Sequence, residues 1–181
     1  MTFSPTPLAG CYVIGLEPVQ DERGWFVRTY CQEAFRAVAP DLAWVECNHS
    51  CTRRAGAVRG LHFQRPPHAE AKLVRCIAGA VWDVVVDLRR GSPTFMRWFG
   101  VELSPAKRNM LFVPERFAHG FQALADNSEM FYQHTRAFTP EAEGGLRFDD
   151  PRLGVRWPLQ VCDLSARDRR HPLLDDAFEG L

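Results

Sequence analysis

Apolar residues in this chain come in short runs separated by turn-formers: Gly24, Gly56, Gly60, Gly79, Gly91-Ser92-Pro93, Ser104-Pro105, Pro114 and Asp126-Asn127. Short runs with such punctuation predict an all-β sandwich or barrel. The clearest strand is Ala80–Leu88. Its alternation puts Trp82, Val84, Val86 and Leu88 on one face and Val81, Asp83, Val85 and Asp87 on the other. Two acids on the second face suggest a wet or functional side. Further strands are predicted at Trp44–Ser50, Ala57–Gln64, Lys72–Ala78, Arg97–Leu103, Met110–Val113, Gly120–Leu124 and Glu129–Thr135. Cys31–Val38 reads as a short helix with Ala34, Phe35 and Val38 apolar, and Leu164–Phe178 has room for one or two helical turns. Nothing has the pattern of a βαβ unit or a glycine-rich phosphate loop.

The 181 residues fit a single domain, 1–181, without repeats or a linker. Lys+Arg and Asp+Glu are both 22, so the formal charge is zero, which argues against a nucleic-acid or membrane-surface binder. No basic, apolar leader and no long apolar window is present, so secretion and membrane spanning are disfavoured. The six cysteines form no C-x-x-C pair. They read as free, mostly buried thiols of a reducing cytoplasm and not as a zinc site.

Several polar residues sit inside predicted strands. His62 lies in Val58-Arg59-Gly60-Leu61-His62-Phe63-Gln64, where strict alternation places it with Val58, Gly60 and Gln64 and turns Arg59, Leu61 and Phe63 the other way. Lys72 opens an apolar strand in a chain with only two lysines, Lys72 and Lys107. His119 and Tyr132 lie in or beside strands of their own. From pattern alone each has an ordinary alternative: a hydrogen-bonded core histidine, or a lysine snorkelling from a strand end. A metal-binding cupin is a further reading, but it wants His-x-His and Pro-x-Gly-x-x-His. Gln64 and Arg116 stand where the second histidine and the glycine would be.

Taken together, Val58–Gln64, Ala71-Lys72-Leu73-Val74, Asp83–Arg89, Phe117-Ala118-His119-Gly120-Phe121, the opening Asp21–Phe26, Asp149-Asp150-Pro151 and Trp157-Pro158 resemble the dTDP-4-dehydrorhamnose 3,5-epimerase family, from about residue 20 to about residue 177. The resemblance implies a cupin-type jelly-roll barrel with short peripheral helices, a homodimer, and no metal or organic cofactor. It also implies inversion at C3, C5 or both of a nucleotide-linked 4-keto-6-deoxyhexose. By the same resemblance His62 is the general base, Asp168 its carboxylate partner, Lys72 the enolate-stabilising cation and Tyr132 the acid on the opposite face. Arg23, Phe26, Arg28, Glu46, Asn48, Arg59, His119, Phe138, Glu143 and Arg167 fall at substrate-contacting positions.

Four of these positions, and Glu70 beside Lys72, depart from the family pattern. Arg28 stands for Glu, Glu46 for Gln, Glu70 for Gln, Arg167 for Lys, and Phe138 for a tyrosine. Base, cation and acid are kept, while the nucleotide and the number of centres inverted stay open. Arg28 and Glu46 suggest a swapped charge pair. A single-centre epimerase and a non-catalytic sugar-nucleotide binder are the competing readings.

The chemistry explains the residue types. A carbon acid beside a ketone is roughly 12 pKa units weaker than an imidazolium, a gap of about 16 kcal/mol that a base alone does not bridge. A cation aimed at the forming enolate oxygen removes several kcal/mol of it, and imidazole suits proton abstraction near neutrality. A carboxylate orients the imidazole. Arginine forks suit a diphosphate. Asp83 is a candidate partner for Lys72 or His62, or else a solvated strand acid.

Overall fold

The computed structural model describes all 181 residues. Thirteen strands are present: β1 (Thr2–Pro5), β2 (Tyr12–Gly15), β3 (Val19–Asp21), β4 (Gly24–Phe26), β5 (Glu46–Thr52), β6 (Val58–Gln64), β7 (Lys72–Ala78), β8 (Val81–Asp87), β9 (Trp98–Leu103), β10 (Asn109–Val113), β11 (Phe117–Ala123), β12 (Ser128–His134) and β13 (Glu143–Gly145). Two one-turn helices, α1 (Gln32–Phe35) and α2 (Ala166–Arg169), flank them. Two antiparallel sheets face each other, ordered β1-β2-β10-β7-β12-β5 and β13-β6-β11-β8-β9, with β3 and β4 forming a separate hairpin. The all-β jelly-roll expectation is met, and each predicted strand from β5 to β12 is found.

Apolar packing occurs in three layers. Between the sheets, Val74, Cys76, Leu111, Val113 and Met130 of one meet Val81, Val85, Leu103, Phe117 and Phe121 of the other. Outside the five-stranded sheet, Leu61, Phe63, Val84, Val86 and Leu88 lie beneath Leu146, Leu153, Trp157 and Phe178 of the C-terminal tail. Outside the six-stranded sheet, Ile14, Leu73, Met110 and Phe112 are covered by the α1 region. There Phe35 is fully buried and meets the rings of Phe3, Tyr30, Trp44 and Phe112 at 5.1–6.5 Å. Burial of one such side chain contributes about 1.5–3 kcal/mol.

This layering corrects the reading of β8. Both of its faces are covered, so the face with Asp83 and Asp87 is not wet: each is 0 % exposed. Asp87 accepts from Arg89 (2.7 and 2.9 Å), Ser92 (2.6 Å) and Thr94 (2.6 Å), and so pins the turn after the strand. The cysteine reading also needs correcting. Cys11 and Cys76 are buried, with thiols pushed up to about 12 and about 11 by desolvation, but Cys47, Cys51 and Cys162 are exposed. The N-terminal strands β1–β4 and the glycine-rich β13 carry little strand signal. They are three or four residues long, and β1 ends in proline at a sheet edge.

The tail matters for the site. The Gln122 side chain, fully buried, donates to the Leu159 carbonyl (2.9 Å) and accepts the Leu159 N–H (2.9 Å). Val58 N–H then donates to the Asp163 carbonyl (3.0 Å), so the chain runs beside β6 and enters α2 there. Ser165 caps α2 by accepting the Asp168 N–H at 3.0 Å.

Burial alone would raise the Asp87 carboxyl, but the hydrogen bonds from Arg89, Ser92 and Thr94 outweigh it and lower the pKa to about 2. A folded-state pKa below the unfolded one gives stability that is present above the unfolded value and lost as pH falls through the folded one. Between about pH 4 and pH 2 the protein should therefore lose about 2 kcal/mol through this residue. Urea melts across that window should show a loss about 2 kcal/mol larger in the wild type than in Asp87→Asn.

Candidate active site

A cavity of about 600 Å³ opens between the sheets, lined by Asn48, Ser50 and Thr52 of β5, Arg59 and His62 of β6, Lys72 of β7, His119 of β11, Tyr132 and His134 of β12, and Arg167 and Asp168. A second lobe of about 340 Å³ shares Asn48, His62, Lys72 and His134 and adds Glu46, Gln64, Glu70, Phe138 and Glu143. The lobes thus meet around His62 and Lys72.

Strict alternation would turn Arg59 away from His62, yet both line the cavity. The cause is a bulge. Between the pairs His119↔His62 and Phe121↔Arg59, β6 takes three steps where β11 takes two. Gly60 occupies the irregular step at φ +128°, and a Cβ there would lie 2.6 Å from the Gly120 Cα. Arg59 consequently reaches across the sandwich, donating to the Thr52 hydroxyl at 2.9 Å and the Cys51 carbonyl at 3.0 Å.

His62 Nε2 lies 2.7 Å from Asp168 Oδ1. The Asp168 side chain is 3 % exposed and that of His62 is 23 % exposed, so the carboxylate is enclosed while the imidazole faces the cavity. Burial opposes the charge on Asp168, but hydrogen bonds from His62 and the Gly60 N–H hold its pKa below the ordinary value. Such a pair fixes the ring and favours an imidazolium once a proton has been taken.

Lys72 Nζ lies 3.0 Å from Glu70 Oε1, and both side chains are buried. Gln64 donates to the other Glu70 oxygen at 2.7 Å and accepts the Thr139 N–H at 2.6 Å. The Gln64 amide, at the position where a cupin metal would want histidine, is therefore engaged as a strut for Glu70. Asp83 partners neither Lys72 nor His62 directly. It binds His119 Nε2 at 2.9 and 3.0 Å, with burial pushing its carboxyl up.

Tyr132 Oη meets Ser50 Oγ at 3.0 Å, and its ring stands edge-on to His119. Burial raises the phenol, so it stays protonated near neutrality. His134 stacks on Tyr132 and is lowered to about 4 by burial and by Lys72, so it is neutral in the working range.

The other expected residues divide into three groups. Asn48, Arg59, His119 and Arg167 line the main lobe, and Glu46, Phe138 and Glu143 the second. Arg167 holds Glu143 at 2.8 Å. Glu46 accepts from Asn48 (2.8 Å) and from the Phe138 N–H (3.0 Å), and Arg28 of the same chain is not its partner. Arg23, Phe26 and Arg28 are outside both lobes of their own chain: Arg23 is bound to Asp21, Phe26 is 71 % exposed and Arg28 is exposed. Ser50, His134 and the pairing of Glu70 with Lys72 escaped the sequence reading. The signal existed, since each stands two residues from a chosen one. His171, beside Asp168, had no such signal.

No helix is long and apolar enough to cross a membrane. Residues 5–176 match the family model for dTDP-4-dehydrorhamnose 3,5-epimerase. The Salmonella typhimurium enzyme of that name is 44% identical over 170 residues, 92% of each chain. The crystal structure of the Elizabethkingia anophelis 3,5-epimerase superposes with a TM-score of 0.93 at 37% identity, covering 98% of both chains. That of the Bacillus anthracis enzyme with TDP and PPi bound gives 0.92 at 34% identity, covering 96% of this chain and 99% of the other. With family model, sequence identity and fold in agreement, this chain belongs to the dTDP-4-dehydrorhamnose 3,5-epimerase family.

Proposed function

We propose that His62, Asp168, Lys72 and Tyr132 are the groups with which this epimerase inverts C3 and C5 of a dTDP-4-keto-6-deoxyhexose. His62 takes the proton beside the C4 ketone, Asp168 steadies the imidazolium, Lys72 faces the enolate oxygen and Tyr132 returns a proton to the other face. The observation that carries this reading is the placement of base and acid. His62 is on β6 of one sheet and Tyr132 on β12 of the other, with the cavity between them. Inversion requires donor and acceptor on opposite faces of one ring. Proton transfer from a phenol to an enolate carbon is downhill even with the phenol raised, because the carbon acid is weaker still. Arg59 and Arg167 provide forks for the diphosphate, and His119, held by Asp83, offers a hydrogen bond to the sugar.

A homodimer follows from the same proposal. The β3–β4 hairpin places Val19, Trp25 and Phe26 at 74 %, 60 % and 71 % exposure, and Arg23 is away from its own chain's cavity. A second copy is the occupant that would both cover this face and receive Arg23, Phe26 and Arg28 at its cavity. Mixing His62→Ala with Arg23→Ala chains should then restore about a quarter of wild-type turnover, one intact site per mixed dimer. Each variant is nearly inactive alone, and no recovery after subunit exchange would remove the shared site.

Proton NMR in D₂O with dTDP-4-keto-6-deoxyglucose tests the chemistry. Both the H3 and the H5 signals should be lost. His62→Ala should abolish the exchange, and activity within about tenfold of wild type would rule His62 out as base. Tyr132→Phe should keep deuterium incorporation and lose inversion, because His62 can still return a deuteron to the face it deprotonated. Loss of only one signal would favour a single-centre epimerase, a reading that rests on Phe138 lacking a hydroxyl. Phe138→Tyr should then change the ratio of exchange at the two centres.

Lys72 can be separated into its two roles. Lys72→Met should cost about 3 kcal/mol of stability by leaving Glu70 buried without its cation, and at least about 100-fold in turnover. Adding Glu70→Gln should recover stability, read by urea melts, and leave turnover low.

A further inference from the structure

We propose that His62, Asp168 and His171 form a binding site for a borderline transition-metal ion, with Zn²⁺ as its prototype. The three donor atoms lie within 4.8 Å of one another. His62 Nε2 is 2.7 Å and His171 Nε2 3.7 Å from the same oxygen, Asp168 Oδ1. The His171 nitrogen is buried and has no hydrogen-bond partner, since 3.7 Å is too long for one. A buried polar nitrogen aimed at a carboxylate already shared by another imidazole is the geometry that a cation resolves, because it satisfies all three lone pairs at once.

The ring of His171 is held in place where it packs, at its Nε2 and Cε1 edge, on the backbone of β13. It lies against Gly145 of β13, where any Cβ would collide with it, and edge-on to His62 with centroids 5.8 Å apart. Two imidazoles and a carboxylate bind Zn²⁺ at about 2.0–2.2 Å each in a tetrahedral arrangement, which separates ligand atoms by about 3.4 Å. Spacings of 2.7 and 3.7 Å therefore need side-chain shifts of well under an ångström per atom, with the third spacing closing from at most 4.8 Å. The fourth position faces the cavity, where water completes the shell. The Arg167 guanidinium, 3.4 Å from His62 Nε2, has to turn outward. It is half exposed and already held by Glu143 on its outer side.

Binding displaces any proton on the ligating nitrogens to solvent and occupies the lone pair of His62. The ion is therefore an inhibitor of the base and not a participant in the reaction, a consequence that rests on the function proposed above; the site itself does not. It is also separate from the cupin position of Gln64.

Titration with Co²⁺ followed by visible absorption, with Zn²⁺ as competitor, tests the site directly. One equivalent should bind with the spectrum of nitrogen and oxygen ligands. His171→Gln should weaken binding at least about tenfold, keep basal turnover and abolish inhibition by Zn²⁺. Replacing Cys47, Cys51 and Cys162 by serine should leave binding unchanged. A sulfur-to-cobalt charge-transfer band, loss of binding in the cysteine variant, or equal affinity in a folded His171→Gln protein would overturn the proposal. Binding that depends on His171 but leaves turnover untouched would uphold the site and instead remove His62 as the base.

Discussion

A charge enclosed between two sheets is tolerated only with a partner, and the enclosed charges of this cavity are paired. His62 has Asp168, Lys72 has Glu70, His119 has Asp83, and at the rim Arg167 has Glu143. An isolated buried ion would neutralise itself or unfold its surroundings. The pairs therefore precede catalysis in the logic of the fold. They allow an imidazole and an ammonium to stand close together, away from bulk solvent, where electrostatic effects on a developing enolate are strong. His134 is the counter-example that supports the rule: with no carboxylate in hydrogen-bond reach and with Lys72 nearby, its pKa is driven down to about 4.

The pairs in turn depend on how the hydrophobic packing is divided. The inter-sheet layer fills only part of the interior with Val, Leu and Phe, and the remainder is the cavity. Both outer sheet faces are covered by other segments, which recover apolar burial that the polar floor gives up. The tail serves both ends. Trp157 and Phe178 cover the five-stranded sheet, while Gln122 and Asp163 guide the intervening segment to α2 and deliver Asp168 to His62. Loss of the tail's packing would thus be felt at the base, far from the residues removed.

The strands β5–β12 were legible because alternation and turn residues agree there. What alternation misplaced was Arg59, since a bulge at Gly60 shifts the register between His62 and Arg59, and a bulge leaves no period-2 mark except the glycine itself. Asp87 was misread for a related reason: an acid on a strand face looks solvated until the three donors of the following turn are placed around it. The proposed base, cation and acid rest on resemblance to a family, and pattern alone left each with an ordinary structural alternative. The residues that hold them were legible in principle, because Ser50, Glu70 and His134 stand two positions from Asn48, Lys72 and Tyr132. His171 was not, since only the short turn after α2 and the approach of β13 bring it to Asp168.

Of the five positions that depart from the family pattern, Glu46, Glu70 and Phe138 line the second lobe, Arg167 stands beside His62 at 3.4 Å, and Arg28 lies outside both lobes. Glu46 ties Asn48 to the backbone of Phe138, so one carboxylate joins β5 to the loop after β12. The hydrogen bonds to Asn48 and Phe138 lower its pKa, so it stays ionised and keeps both partners. Phe138 is 54 % exposed at that edge, offering an apolar face and no proton. Glu70, the other departure there, neutralises Lys72. None of the five falls on His62, Lys72, Tyr132 or Asp168, the groups proposed to handle the proton and the enolate oxygen. On the function proposed above, proton removal is unchanged, while the charge and polarity of the wall facing the second lobe are set by Glu46, Glu70 and Phe138. Differences from its relatives should accordingly appear in which centre reacts faster, more than in whether the reaction occurs.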